Sequence, residues 1–157
     1  MSPDTHAEIT RLLMTYSELQ DRADFVAVGA LFRYGAYVID GVADVYRGAD
    51  GVAAMKQKHD RTYADGTLRT KHVTTNVIIE DDADTESARA RSYYVVFQQV
   101  GGFALQAIIV GRYHDRLVRV EDAWWFRERY VYTDLVGDMS AHVDDAPMFR
   151  RSPTPLL

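Results

Sequence analysis

What most constrains this chain is a division along its length. Ahead of Arg69 apolar residues recur mainly at helical spacing, and beyond it almost every residue belongs to a strand-like segment. Thr70 to Glu80 is β-branched, and Ala88 to Val100 alternates through Tyr93, Val95 and Phe97. Phe103 to Val120 and Trp124 to Val136 add two more long segments. The breaks at Asp81 to Glu86, Gly101-Gly102 and Glu121 to Ala123 are short enough for hairpins. Long strands joined by hairpins after a helical stretch make an α+β order, not an alternating α/β one. A sheet of this kind must bury one face, and the N-terminal helices are the available cover. Antiparallel order with strong twist predicts a sheet curled around them into a half-open cone.

In the helical half, Ile9, Leu12, Leu13, Tyr16 and Leu19 mark an amphipathic helix over Asp4 to Gln20, with Asp4 or Thr5 available as N-cap. Asp24 to Phe32 presents Phe25, Val28, Leu31 and Phe32 as a second short helix, so two helices meet near Asp21. Tyr37-Val38-Ile39, a turn at Asp40-Gly41 and Val45-Tyr46 suggest a short hairpin. Val52, Met55 and His59 then restore helical spacing over Gly51 to Tyr63. Asp138 to Leu157, with Pro147, Pro153 and Pro155, has no clear period. It is expected to be an arm or lid on a single domain spanning residues 1–137.

Composition narrows the chemistry. With 18 basic against 23 acidic residues and a net charge of −5, the chain has no electrostatic footprint for nucleic acid or an anionic membrane surface. Cysteine is absent, so disulfides, thiolate nucleophiles and sulfur-ligated metals are excluded together. Met1 to Glu8 has no basic or apolar leader pattern, and no apolar run approaches the roughly 18 residues of a membrane span. The expectation is a soluble, cytoplasmic protein. No GxGxxG, GxxxxGK[ST] or HExxH motif and no calcium loop is present, so neither a nucleotide cofactor nor a metal is expected.

The candidate chemistry rests on Asp21, at the end of the first helix, and His72, at the start of the first long strand. Should both face one cavity, a carboxylate bonded to one imidazole nitrogen raises the basicity of the other, making His72 a general base. The alternatives are a helix-capping Asp and a core or edge His. Tyr16, five residues before Asp21, is either a hydrogen-bond donor at the cavity mouth or an aromatic of the apolar stripe. Arg129 is either a cation for a substrate carbonyl or carboxylate or a rim salt bridge, with Arg127 as the alternative inward residue. His6, His59, His114 and His142 read as terminal, exposed, polar-patch and tail residues. The aromatic residues Tyr93, Tyr94, Phe97, Phe103, Trp124, Trp125, Phe126, Tyr130 and Tyr132 mostly build core, and any that line a cavity favour a flat, largely apolar small-molecule substrate.

The order of elements and four phrases resemble the SnoaL-like branch of the NTF2-like superfamily. The phrases run from Tyr16 to Phe25, from Tyr46 to Val52, from Thr70 to Val77 and from Trp124 to Arg129. The resemblance covers about residues 5 to 136 and implies the cone-shaped α+β fold of scytalone dehydratase, the lindane dehydrochlorinase, bile acid 7α-dehydratase and ketosteroid isomerase. In the dehydratase and dehydrochlorinase members an Asp stands at the place of Asp21, a His at that of His72 and an Arg at that of Arg129. The position of Tyr16 is a pocket residue. The resemblance thus implies proton abstraction by His72 oriented by Asp21, with Tyr16 or Arg129 stabilising an enolate or assisting loss of hydroxide. Dehydration, double-bond isomerisation and polyketide-type cyclisation all begin this way. The second histidine of scytalone dehydratase, on a later strand, has no clear counterpart, and the ketosteroid isomerase arrangement is not matched. The fold also hosts ligand binders and dioxygenase β subunits. Among the dyad enzymes trimers built through the sheet are frequent, which implies a homotrimer, with a dimer as alternative.

Overall fold

A computed structural model of the chain describes residues 3–82, 86–144 and 150–155. It opens with α1 over Pro3–Asp21, which buries the expected stripe of Ile9, Leu12, Leu13 and Tyr16. Asp4 does not cap this helix. It lies within the first turn, behind Pro3, whose missing N–H costs nothing at a helix start. The helix ends in a Schellman turn: Ala23 adopts φ 54°, its N–H returns to Gln20 O, and the Asp24 N–H returns to Leu19 O, each at 3.0 Å. Asp24 then caps α2 (Phe25–Ala30), accepting from the Ala27 N–H at 3.1 Å. This corner leaves Asp21 in the last helical turn, turned toward the sheet.

The strands are β1 (Ala36–Ile39), β2 (Val45–Arg47), β3 (Thr70–Asp82), β4 (Ser87–Val100), β5 (Phe103–Val120) and β6 (Ala123–Val136), with α3 (Gly48–His59) between β2 and β3. They form one curled sheet in the order β2-β1-β6-β5-β4-β3. The fold is the expected α+β cone, but the sheet is mixed and not wholly antiparallel, because β1 runs parallel to β6 with Tyr37 opposite Arg129. The two strands are joined by a long crossover and no hairpin, so nothing local imposes antiparallel order on them. The predicted break at Asp81 to Glu86 includes residues 83–85, which lie outside the described residues.

Curvature comes from irregular pairing. Register slips occur in β5/β6 at Val110/Gly111 and at Arg116/Leu117, and in β3/β4 between Thr75 and Ile78, where Asn76 sits at φ 53°. At Gly111 a Cβ atom would lie 1.9 Å from the Tyr132 carbonyl oxygen, so the strands approach there only because the residue is glycine. The concave face receives α1, α2 and α3, and Leu13, Tyr16, Phe32, Val52, Ile108 and Phe126 meet in the core.

Two corrections bear on the site. Helix α3 covers Gly48–His59, earlier than the predicted Gly51 to Tyr63, and His59 is buried and not exposed, because Val52, Met55, Lys56 and His59 share its inward face. The C-terminal segment also packs tightly. Val143 bridges to Asp60, Arg61 N–H donates to His142 O at 2.8 Å, and Ser152 N–H donates to Thr133 O at 2.7 Å. Pro147 lies outside the described residues. No helix among the described residues is long and apolar enough to cross a membrane.

Candidate active site

On β3 the residues Thr70, His72 and Thr74 face α1, the alternation that a strand imposes. Ser17 and Thr74 hydroxyls meet at 3.1 Å, and Asp21 lies against the start of the strand. The Asp21 carboxylate accepts from Thr70 Oγ1 at 2.8 Å and from the His72 backbone N–H at 3.1 Å, and its Oδ1 contacts His72 Nδ1 at 2.6 Å. A carboxylate at a helix C-terminus opposes the helix dipole. Three donors from one strand offset that penalty.

Burial by itself pushes the Asp21 carboxyl up, but the hydrogen bond and charge of His72, with the bonds from Thr70 and the His72 backbone, hold it below the ordinary carboxylate value. With the anion at Nδ1, the tautomer that this contact favours carries its proton there and has its lone pair on Nε2. The His72 side chain is 7% exposed. It lines an open cleft of about 700 Å³ between the end of α1 and the edge of β3, with Met14, Phe97 and Leu105 as apolar wall and Arg22, Arg69 and Lys71 as basic rim. Of the aromatic residues singled out in the sequence only Phe97 lines this cleft.

The neighbouring residue on α1, Gln20, leads to a second set of polar groups. Its Nε2 donates to Asp60 Oδ2, which lies 3.9 Å from Lys56 Nζ. Lys56 donates to the Tyr37 hydroxyl at 3.3 Å, and Tyr16 reaches the same hydroxyl at 3.4 Å. Tyr16 is thus buried away from the open cleft. Its ring packs edge-on against Phe32, Tyr113 and Phe126.

Arg129 is fully buried, and of the two candidate arginines it is the inward one, while Arg127 reaches the Tyr34 carbonyl at the surface. The partner of Arg129 is Asp115, its cross-strand neighbour, bound through Nε and Nη2 at 2.8 Å each. The rings of Tyr16, Tyr113 and Phe126 enclose the guanidinium at 3.9 to 4.4 Å. Arg129 therefore sits as a core ion pair, neither at the rim nor in the cleft.

Sequence reasoning passed over two residues that the fold brings in. His142, read as part of the tail, is buried with its ring centroid 6.4 Å from that of His72. Desolvation pushes its imidazole down to about 4, so it is neutral at neutral pH. No local pattern announced it, since its place depends on the tail folding back across Asp60 and Gln98. Lys56 did leave a signal: a lysine within the inward stripe Val52, Met55, Lys56, His59 of α3 is a charge on an apolar face. His6 contacts Thr10 on its own helix at 3.5 Å, and His114 packs on Tyr132.

Residues 3–130 match the family model of the SnoaL-like domain. No curated protein matches the chain by sequence. Among solved structures, an NTF2-like protein with a cystatin-like fold from Novosphingobium aromaticivorans is similar at 23% identity and a TM-score of 0.69, over 87% of this chain and 85% of that one. A candidate scytalone dehydratase from the same organism is similar at 21% identity and 0.68, over 85% and 87%. ActVI-ORFA from Streptomyces coelicolor is similar at 20% identity and 0.67, over 83% and 98%. At these identities the likeness shows the fold alone.

Proposed function

Because the chain belongs to the SnoaL-like domain family, whose model spans residues 3–130, we propose that it is a cofactor-independent lyase acting by general-base catalysis. The family includes scytalone dehydratase-like and polyketide cyclase proteins. The proposed substrate is a small hydroxylated aromatic or polycyclic carbonyl compound, and the proposed reaction is loss of water. The observation that carries this reading is the 2.6 Å contact between Asp21 and His72 Nδ1 beside an open cleft. Asp21 orients the imidazole and stabilises the imidazolium formed when Nε2 takes a proton from carbon next to the carbonyl. The electron pair of the C–H bond forms the new double bond, the C–O bond breaks, and the departing hydroxide leaves as water with the proton that His72 carried. His72 returns neutral.

The apolar wall of Met14, Phe97 and Leu105 supports a flat, largely carbon substrate. The test is to incubate the protein with hydroxylated aromatic ketones in D₂O and read the products by mass. Loss of water, accompanied by deuterium uptake next to the carbonyl in recovered substrate, is the expected result. A product of unchanged composition would reassign the same base to cyclisation or isomerisation. Tight binding with neither water loss nor deuterium uptake would make the protein a ligand binder.

A further inference from the structure

The outer face of the sheet carries a concentration of arginine that the proposed chemistry does not use. Cross-strand register sets one row over four strands, with Arg47 of β2 opposite Ala36 of β1, Ala36 opposite Glu128 of β6, and Glu128 opposite Arg116 of β5. In the next row Tyr37 stands opposite Arg129, and Arg129 opposite Asp115, all three buried in the core, so alternation turns the first row outward. A bulge adds a further cation. Leu117 pairs with Phe126 and Arg116 with Glu128, so Arg127 is the extra residue on β6 and emerges beside Glu128. Gly35 makes room for it: a Cβ atom there would lie 2.2 Å from the Phe126 carbonyl oxygen and 2.5 Å from that of Arg127.

Arg33, from the turn after α2, completes a cleft of about 510 Å³ in which Arg33, Arg47, Arg116 and Arg127 face a single carboxylate, Glu128. In a chain of net charge −5 this is a local excess of positive charge. Glu128 does not neutralise it. Arg116 Nε lies 3.9 Å from Glu128 Oε1, beyond hydrogen-bond reach, and Arg116 also stands directly opposite a like charge, Arg89 of β4, a pairing that destabilises a sheet. Glu80, opposite Arg89, is held by Arg91 at 3.5 Å. The Arg47 side chain has no hydrogen-bond or ion-pair partner among the described residues. The other two guanidinium groups are fixed in place with donors to spare. Arg127 Nη1 donates to the Tyr34 carbonyl at 2.8 Å, and the Arg33 guanidinium lies 4.8 Å from the centroid of the Trp125 ring.

We infer that this cleft binds the phosphoryl group of a small molecule. A phosphate carries up to about two negative charges at neutral pH and three acceptor oxygens, which matches several converging guanidinium forks, whereas one carboxylate occupies one fork. The size of the cleft suits a small ligand, and the net negative charge of the chain repels a long polyanion. The site is separate from the proposed base. The two clefts share no lining residue, and His72 stands on β3 at one edge of the sheet while Arg47 stands on β2 at the other.

Titration calorimetry with inorganic pyrophosphate at constant ionic strength tests this. One pyrophosphate per chain is expected. Arg47→Gln and Arg116→Gln should each weaken binding by about 10- to 100-fold, the worth of a charge-assisted hydrogen bond. Arg11→Gln, an equal loss of charge at an exposed position of α1, should leave it unchanged. Phenyl phosphate titrated beside inorganic phosphate separates the two sources: tighter binding of the ester assigns the site to an organic phosphate, and tighter binding of the ion assigns it to free phosphate. No binding at millimolar concentration, binding that survives both cleft variants, or equal weakening by Arg11→Gln overturns the inference.

Discussion

At the scale of single residues, the proposed chemistry and the stability of the fold rest on different groups. Asp21→Asn keeps the size of the side chain but removes the anion that fixes the imidazole proton, so turnover of any ketone the protein dehydrates should fall by about 10²- to 10⁴-fold, a loss far larger than the modest fall in melting temperature that goes with removing its charge. Arg129→Met should do the reverse. It strands Asp115 in the core, and breaking one half of a buried pair costs about 3–5 kcal/mol, readable by urea denaturation. An Arg129 variant of native stability that had lost turnover would return that arginine to the site. Acid should weaken the fold in part through Asp21 and His142, the two depressed groups at the site. Asp21, depressed in the folded state, contributes stability that is present above the ordinary carboxylate pKa and is lost as pH falls through its lower folded value. His142, depressed to about 4 against an ordinary value of about 6.5, binds its proton more readily when unfolded, so its contribution is lost as pH falls from about 6.5 to 4. Denaturation curves across that interval should flatten in His142→Phe relative to wild type, and parallel curves would contradict the buried neutral imidazole.

At the scale of elements, most of the fold was legible because the signals are local. The stripe from Ile9 to Tyr16 fixes the face of α1, Asp24 fixes the corner, and the four long strands begin and end within two residues of their predicted bounds. The parallel pairing of β1 with β6 was not legible, since a four-residue strand carries too few residues to choose a partner. The contact of Asp21 with His72 was anticipated from position, whereas His142 was not, because its segment has no periodicity and is placed by distant groups. Those groups are specific: Tyr63 OH and Gln98 Nε2 both donate to the Ala141 carbonyl, and Met139, Ala141 and Val143 are buried. We propose that this segment is a lid over the site. Truncation after Gly137 should lower stability, ligand affinity and turnover together, and Tyr63→Phe should cost about 1 kcal/mol in a thermal melt. A truncated chain with unchanged affinity and turnover would contradict the lid.

At the scale of the molecule, the sheet presents apolar residues outward as well as inward. Ile78, Tyr93 and Leu135 are 50%, 51% and 56% exposed and line one shallow depression of about 350 Å³. We expect copies of the chain to cover it as a homotrimer, with light scattering giving three times the 17.8 kDa chain mass and Leu135→Glu giving a smaller species. A wild-type monomer at micromolar concentration would contradict this. The central claim is that the assembled cone is an autonomous catalyst because it delivers one oriented imidazole to an open cleft. Its most direct test is the rate of water loss from a hydroxylated aromatic ketone by wild type and by His72→Gln, compared at equal melting temperature. The account predicts a drop of about 10²- to 10⁴-fold, and a variant that turns over at the wild-type rate would contradict it.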